Sequence, residues 1–266
     1  MSDRPIGIFD SGLGGLTVAR AIIDALPHES IVYYGDTART PYGPKPLDEV
    51  HAYANEIIDF LRQQDVKMIV VGCNSAASAL WRLGRPRIDV PIVGVIDPPA
   101  QTAVRLTRNR HVGVIGTRAT IESGQYEEAI RRTRRPVRTT ARACPRFVEL
   151  VEAGETWGPR VLDIAGEYLG PLKEAGVDTL ILGCTHYPLL AATIQYVMGP
   201  DVLLVSSAEE TAKDVYTVLI ANGLLREEST PPSYEFIASG SEDEFLRLGH
   251  RFLGPEISSV KRHPLG

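Results

Sequence analysis

Cysteine is scarce in this chain, with three among 266 residues and no CxxC pair. An odd, sparse count excludes a disulfide framework and fits a reduced, cytoplasmic protein. A zinc site from Cys73, Cys184 and His186 would lack the usual close pairing of ligands, so no metal is expected. Lysine is also sparse, and the five present stand in no setting that favours a Schiff base. No apolar run approaches the roughly 20 residues needed to span a bilayer. The opening Met1-Ser2-Asp3-Arg4-Pro5 leads into a strand without a secretory hydrophobic region, so no membrane partner is expected. Positive charge is not in excess: the formal net charge is −5, which disfavours a general nucleic-acid binder. One exception is the stretch Arg131–Arg142, which holds six arginines and reads as a solvated helix end and strand, with a phosphate or nucleic-acid contact left open.

What is present is 44% hydrophobic residues, enough for one large α/β domain or two smaller ones. Short runs rich in Val and Ile predict strands at 4–9, 30–35, 67–72, 91–95, 111–115, 136–141, 178–182 and 202–205. Helical periodicity fills the gaps, most clearly at 46–63, 97–107, 157–174 and 208–222. The alternation predicts mainly parallel sheets. The end of the chain departs from that rhythm, with a strand at 234–238, a helix at 242–252 and a short strand at 257–260.

The chain echoes itself. Ile6-Gly7-Ile8-Phe9-Asp10-Ser11 resembles Val112-Gly113-Val114-Ile115-Gly116-Thr117, 106 positions on (6 to 112). Val70-Val71-Gly72-Cys73-Asn74-Ser75 resembles Ile181-Leu182-Gly183-Cys184-Thr185-His186, 111 positions on (73 to 184). Nearly equal offsets predict two similar α/β domains with a cleft between them. The boundaries are placed at 1–97 plus 208–266 for the first, with a returning tail, and 98–207 for the second. Each Gly-Cys site puts a thiol at the carboxyl end of a buried strand, where open α/β sheets bind ligands, before polar residues able to open a helix. A helix N-terminus is expected to lower the thiol's pKa and burial to raise it. Two matched thiols fit chemistry that needs a base and an acid of one kind. Cys144, in Ala143-Cys144-Pro145-Arg146, has no such context and is expected to pack in a core.

Other motifs surround the thiols. Asp10-Ser11-Gly12-Leu13-Gly14-Gly15-Leu16-Thr17 is a glycine-rich turn whose N–H groups suit an anion, but it is neither GxGxxG nor a P-loop. Asp10 is a candidate partner for a thiol or a substrate ammonium. Tyr34–Gly43 is a long polar loop pinned by Pro41 and Gly43. His186 stands two residues past Cys184 and could orient or activate it. The remaining histidines, such as His28 and His51, sit in polar segments and are expected at the surface. Glu152 falls near a helix end and has no role readable from its neighbours.

Taken together, these segments resemble the glutamate racemases, within the cofactor-independent aspartate/glutamate racemase superfamily. The resemblance spans essentially the whole chain. It rests on Gly7–Thr17, Gly35–Arg39 with Pro41-Tyr42-Gly43, Gly72-Cys73-Asn74, Gly94–Pro98, Phe147–Gly154 and Gly183–Pro188. Ser75 departs from it, standing where the family usually has threonine, and keeps the hydroxyl. The resemblance implies interconversion of L- and D-glutamate without pyridoxal phosphate or another cofactor, supplying D-glutamate for peptidoglycan and cell shape. It implies substrate contacts at Asp10, Ser11, Pro41, Tyr42, Gly43, Asn74, Ser75, Thr185 and His186. Cys73 would take the α-proton of D-glutamate and Cys184 that of L-glutamate, with Asp10 and Glu152 as acidic helpers and His186 beside the second thiol. It further implies a homodimer, and a second role as an inhibitor of DNA gyrase stays open. Aspartate is the alternative substrate, because the thiols define the reaction and not the side chain.

Overall fold

Runs of β-branched residues bounded by glycine form buried parallel strands, and the amphipathic segments between them form helices that cover the sheets. The computed structural model describes residues 2–227 and 230–265. Its strands are β1 (Ile6–Asp10), β2 (Ile31–Gly35), β3 (Met68–Val71), β4 (Ile92–Gly94), β5 (His111–Gly116), β6 (Arg138–Ala143), β7 (Thr179–Gly183), β8 (Leu203–Ser206), β9 (Tyr234–Ala238) and β10 (Lys261–Arg262). The helices are α1 (Leu16–Ala25), α2 (Leu47–Gln63), α3 (Asn74–Leu83), α4 (Asp97–Leu106), α5 (Arg118–Glu122), α6 (Gln125–Arg132), α7 (Arg146–Glu152), α8 (Pro159–Glu174), α9 (Ala191–Met198), α10 (Ser207–Ala221) and α11 (Glu242–Leu253).

All pairings are parallel, in two sheets ordered β10-β9-β2-β1-β3-β4 and β6-β5-β7-β8. The second sheet repeats the first strand for strand: β5 stands for β1, β6 for β2, β7 for β3 and β8 for β4. β9 and β10 extend only the first sheet, so the end of the chain returns to it. The repeat explains why glycine precedes each thiol. A Cβ on Gly72 would stand 3.0 Å from the carbonyl oxygen of Phe9, and one on Gly183 would stand 2.7 Å from that of Ile115. Phe9 and Ile115 are themselves 106 positions apart (9 to 115), so the sequence echo is an echo of strand packing.

Several expectations are corrected. The strand placed at 257–260 is not there; Ile257 is fully buried against Gly249 of α11, and pairing begins only at Lys261. A side chain committed to the helix cannot also continue a ladder. The strand placed at 136–141 runs from Arg138 to Ala143, because Pro136 has no N–H to donate to β5. His111 is buried at the start of β5, with Nε2 2.8 Å from Thr140 Oγ1, rather than at the surface. Cys184 is not followed by an α-helix. A four-residue 3₁₀ turn, Tyr187–Leu190, intervenes before α9, with Pro188 at its start.

Candidate active site

The carboxyl ends of β1, β3, β5 and β7 converge on one cavity of about 310 Å³. Cys73, two residues past β3, caps α3, and its Sγ accepts the Ala76 N–H at 3.5 Å. Cys184 directly follows β7, and its Sγ lies 3.8 Å from His186 Nδ1. The other nitrogen of that imidazole has a partner as well, with His186 Nε2 3.2 Å from Glu152 Oε1 at the end of α7. Both thiols are 5% exposed and both line the cavity.

The cavity brings together Ser11, Pro41, Tyr42, Gly43, Cys73, Asn74, Ser75, Glu152, Cys184, Thr185 and His186 from the residues singled out in sequence. Asp10, the twelfth, is buried at the end of β1 and interacts electrostatically with Cys73 and His186. Its Oδ2 accepts the Gly12 N–H at 2.9 Å, so part of the glycine-rich turn's donor set is already used within the protein. The glycines of that turn serve close approach instead. A Cβ on Gly14 would fall 2.4 Å from Thr185 Oγ1, and one on Gly15 2.4 Å from Asp10 Cβ. Thr17 Oγ1 donates to the Thr185 carbonyl at 2.9 Å, joining the first turn to the second thiol's loop.

Electrostatics separate the two thiols. Burial pushes the Cys73 thiol well above its ordinary value, and the nearby Asp10 carboxylate adds to the rise. N–H groups of Ala76 and Ser11 oppose it without winning, so the expected lowering at the helix N-terminus is overturned by desolvation. Burial likewise raises Asp10, against the His186 charge and the N–H groups of Gly15 and Gly12. His186 goes the other way. Burial lowers its proton affinity, but hydrogen bonds to Cys184 and Glu152 and the charges of Cys184 and Asp10 outweigh this and push it up to about 10. The imidazole is therefore a cation at neutral pH. Among the described residues of the site, two buried polar atoms have no hydrogen-bond partner, the donor Asn74 Nδ2 and the acceptor Asp10 Oδ1.

The loop before α2 is held by a carboxylate. Buried Asp36 accepts from Arg39 Nε at 2.7 Å, from Ser239 at 2.7 Å and from the Tyr42 hydroxyl. That hub presents Thr40, Pro41, Tyr42, Gly43 and Pro44 to the cavity. Seven lining residues were not among the candidate site residues read from sequence: Thr40, Pro44, Thr117, Arg118, Pro145, Val148 and Glu149. Thr117 had a signal, since it follows β5 as Ser11 follows β1. Its Oγ1 lies 3.0 Å from Ser75 Oγ, closing a hydroxyl-lined end of the cavity. Cys144 is fully buried in the second hydrophobic core, as expected. Among the described residues, no group of three or more His, Cys, Asp or Glu could hold a metal ion.

The sequence profile of the Asp/Glu/Hydantoin racemases matches residues 11–215. This chain belongs to that family. The racemase is 56% identical to a glutamate racemase of Beutenbergia cavernae, over 98% of this chain and 93% of the relative. Its fold matches the crystal structure of glutamate racemase isoform RacE1 of Bacillus anthracis with a TM-score of 0.92 at 39% identity, covering 100% of this chain and 98% of that one. A Francisella tularensis glutamate racemase, crystallised with D-glutamate, matches with a TM-score of 0.89 at 32% identity, over 99% and 98%. The racemase is thus an amino-acid isomerase whose relatives act on glutamate. No helix among its described residues is long and apolar enough to cross a membrane.

Proposed function

We propose that this racemase interconverts L- and D-glutamate by passing protons through two thiols. The observation that carries the reading is that Cys73 and Cys184, at matching positions in two repeated sheets, line the same cavity. In the L-to-D direction the Cys184 thiolate, with the His186 imidazolium as its counter-charge, takes the α-proton. The S–H bond forms as the Cα–H bond breaks and leaves its electron pair on Cα. The neutral Cys73 thiol then protonates the opposite face and is left as the thiolate. From D-glutamate the roles reverse, with Cys73 as base. Transfer of this type is typically worth about 10²–10⁴-fold.

The free Asn74 Nδ2 and the hydroxyls of Ser11, Ser75 and Thr185 supply fixed donors for the substrate carboxylates, and Pro41, Tyr42 and Gly43 frame the same space. Asp10 Oδ1 is the acceptor available to the ammonium group. In this reading residues 1–97 with 208–266 face residues 98–207 across the cavity. The relatives' substrate favours glutamate over aspartate, a difference of one methylene that apolar contact alone discriminates by only about 1–3 kcal/mol. Supply of D-glutamate for peptidoglycan, a cytoplasmic setting and a homodimer belong to the same proposal. No feature of Arg131–Arg142 beyond its charge favours a gyrase role.

Circular dichroism of purified protein with each amino acid, and no added cofactor, tests the assignment. Optical activity of L- or D-glutamate should decay to zero. Faster turnover of aspartate than of glutamate would overturn the substrate.

A further inference from the structure

Phe252, near the end of α11, is the one partly buried apolar residue among those described that packs against both hydrophobic cores. Its ring also lies against the catalytic imidazole: the Phe252 and His186 centroids are 6.0 Å apart, at an interplanar angle of 87°. This is the edge-on geometry that aromatic pairs favour. Arg251, the preceding residue, donates from Nη1 to the Glu152 carbonyl at 3.4 Å. The helix end that carries both is anchored to α1. Arg20 bonds both carboxylate oxygens of Glu256 at 2.7 Å and donates to the carbonyl of the buried Leu253.

The imidazole needs such a brace. Its contact with Cys184 Sγ is long at 3.8 Å, and its other partner, Glu152, has a side chain 47% exposed and open to competition from water. Both hydrogen bonds are made by ring nitrogens and so act in the plane of the imidazole, whereas an aromatic ring fixed in α11 opposes tilting out of that plane. We propose that Phe252 is a positioning residue for proton transfer at Cys184, bracing His186 so that Nδ1 faces the thiol and Nε2 faces Glu152. Because Phe252 touches both cores, the brace is in place only while the first sheet's helices and the second core are held together. The inference rests on the two-thiol reading above.

Free L- and D-glutamate have equal energy, so kcat/KM must fall equally in both directions whichever thiol is impaired. Direction of turnover is therefore uninformative, and isotope effects discriminate instead. In Phe252→Ala, kcat/KM should fall about 10- to 100-fold for both enantiomers, the cost of a misplaced catalytic group. The primary isotope effect on kcat/KM should rise with α-deuterated L-glutamate, whose proton Cys184 removes, and fall with α-deuterated D-glutamate. Phe252→Tyr should restore most of the rate and the parent isotope effects. Should the alanine variant not fold, Phe252→Leu keeps apolar bulk without the ring and is read in the same way. A folded variant with parent kcat/KM, or one that loses rate with both isotope effects unchanged, overturns the brace. Failure of the parent protein to racemise glutamate, measured alongside, would instead overturn the reading on which it rests.

Discussion

Cys73 and Cys184 occupy equivalent places in two sheets of the same strand order and differ in nearly everything around them. Cys73 caps a ten-residue helix, faces a buried carboxylate and has its thiol held in the neutral form by desolvation. Cys184 precedes a short 3₁₀ turn and has an imidazolium between it and Glu152. A repeated scaffold thus supplies two thiols with similar backbone settings, while local side chains surround them with different partners, a buried carboxyl at Cys73 and an imidazole at Cys184. In the proposed reaction from L-glutamate, Cys73 would act as the acid and Cys184, beside His186, as the base. The helix N-terminus, the common element inferred from sequence, survives at only one of the two sites and is outweighed by burial there.

The comparison can be broken most forcefully at the thiols. Cys73→Ser and Cys184→Ser should each lower racemisation by about 10²–10⁴-fold while circular dichroism shows an intact fold. Near-parent turnover by either folded variant would remove the need for two thiols. Next is the asymmetric partner: His186→Asn should cost about 10²-fold in kcat/KM. Its effect on stability has a defined pH dependence. His186 binds its proton more tightly folded, at about 10 against an ordinary 6.5, so protonation stabilises the fold. That contribution is complete below pH 6.5 and is lost as pH rises through about 10. The gap in melting temperature between parent and His186→Asn should therefore be widest below pH 6.5 and shrink towards pH 10.

A smaller effect is expected at Arg118, an exposed cavity-lining cation with no ion pair among the described residues, across a site that also holds Glu149 and Glu152. Attraction of a dicarboxylate by such a charge is modest and screened by salt. Arg118→Gln should raise KM about three- to tenfold with kcat little changed, and should flatten the ionic-strength dependence of kcat/KM. The smallest effect on rate belongs to the third cysteine. Cys144→Ala should leave kcat/KM at the parent value and cost about 1 kcal/mol of stability in denaturant melts, as a buried packing residue does.

The thiols were legible because each is announced locally, by a β-branched run, a glycine and a polar continuation. The likeness of the two α/β units followed from the same echo, whereas their strand order did not, because pairing joins strands that are distant in the chain. Thr117 was within reach by that logic, as the counterpart of Ser11. Glu152 was not, because nothing near it in sequence marks its approach to His186; only resemblance pointed there. Phe252 and Arg118 were invisible for the same reason, their meaning arising from contacts between elements far apart in the chain. The last strand was misplaced because Ile257 and Val260 carry a strand's composition, whereas Ile257 is used to fill the space above Gly249. Whether burial or the helix N-terminus governs the Cys73 proton was not legible, because burial depth is a property of the assembled sheets.

The most direct test of paired proton transfer is racemisation of L-glutamate in deuterated water, sampled early, with deuterium located by mass spectrometry or NMR after separating the enantiomers. Two opposed thiols predict one deuterium at Cα of the D-glutamate formed and almost none in the remaining L-glutamate. Deuterium appearing in both enantiomers at equal rates from the outset, or D-glutamate formed without any, would contradict the assignment of Cys73 and Cys184 as separate acid and base.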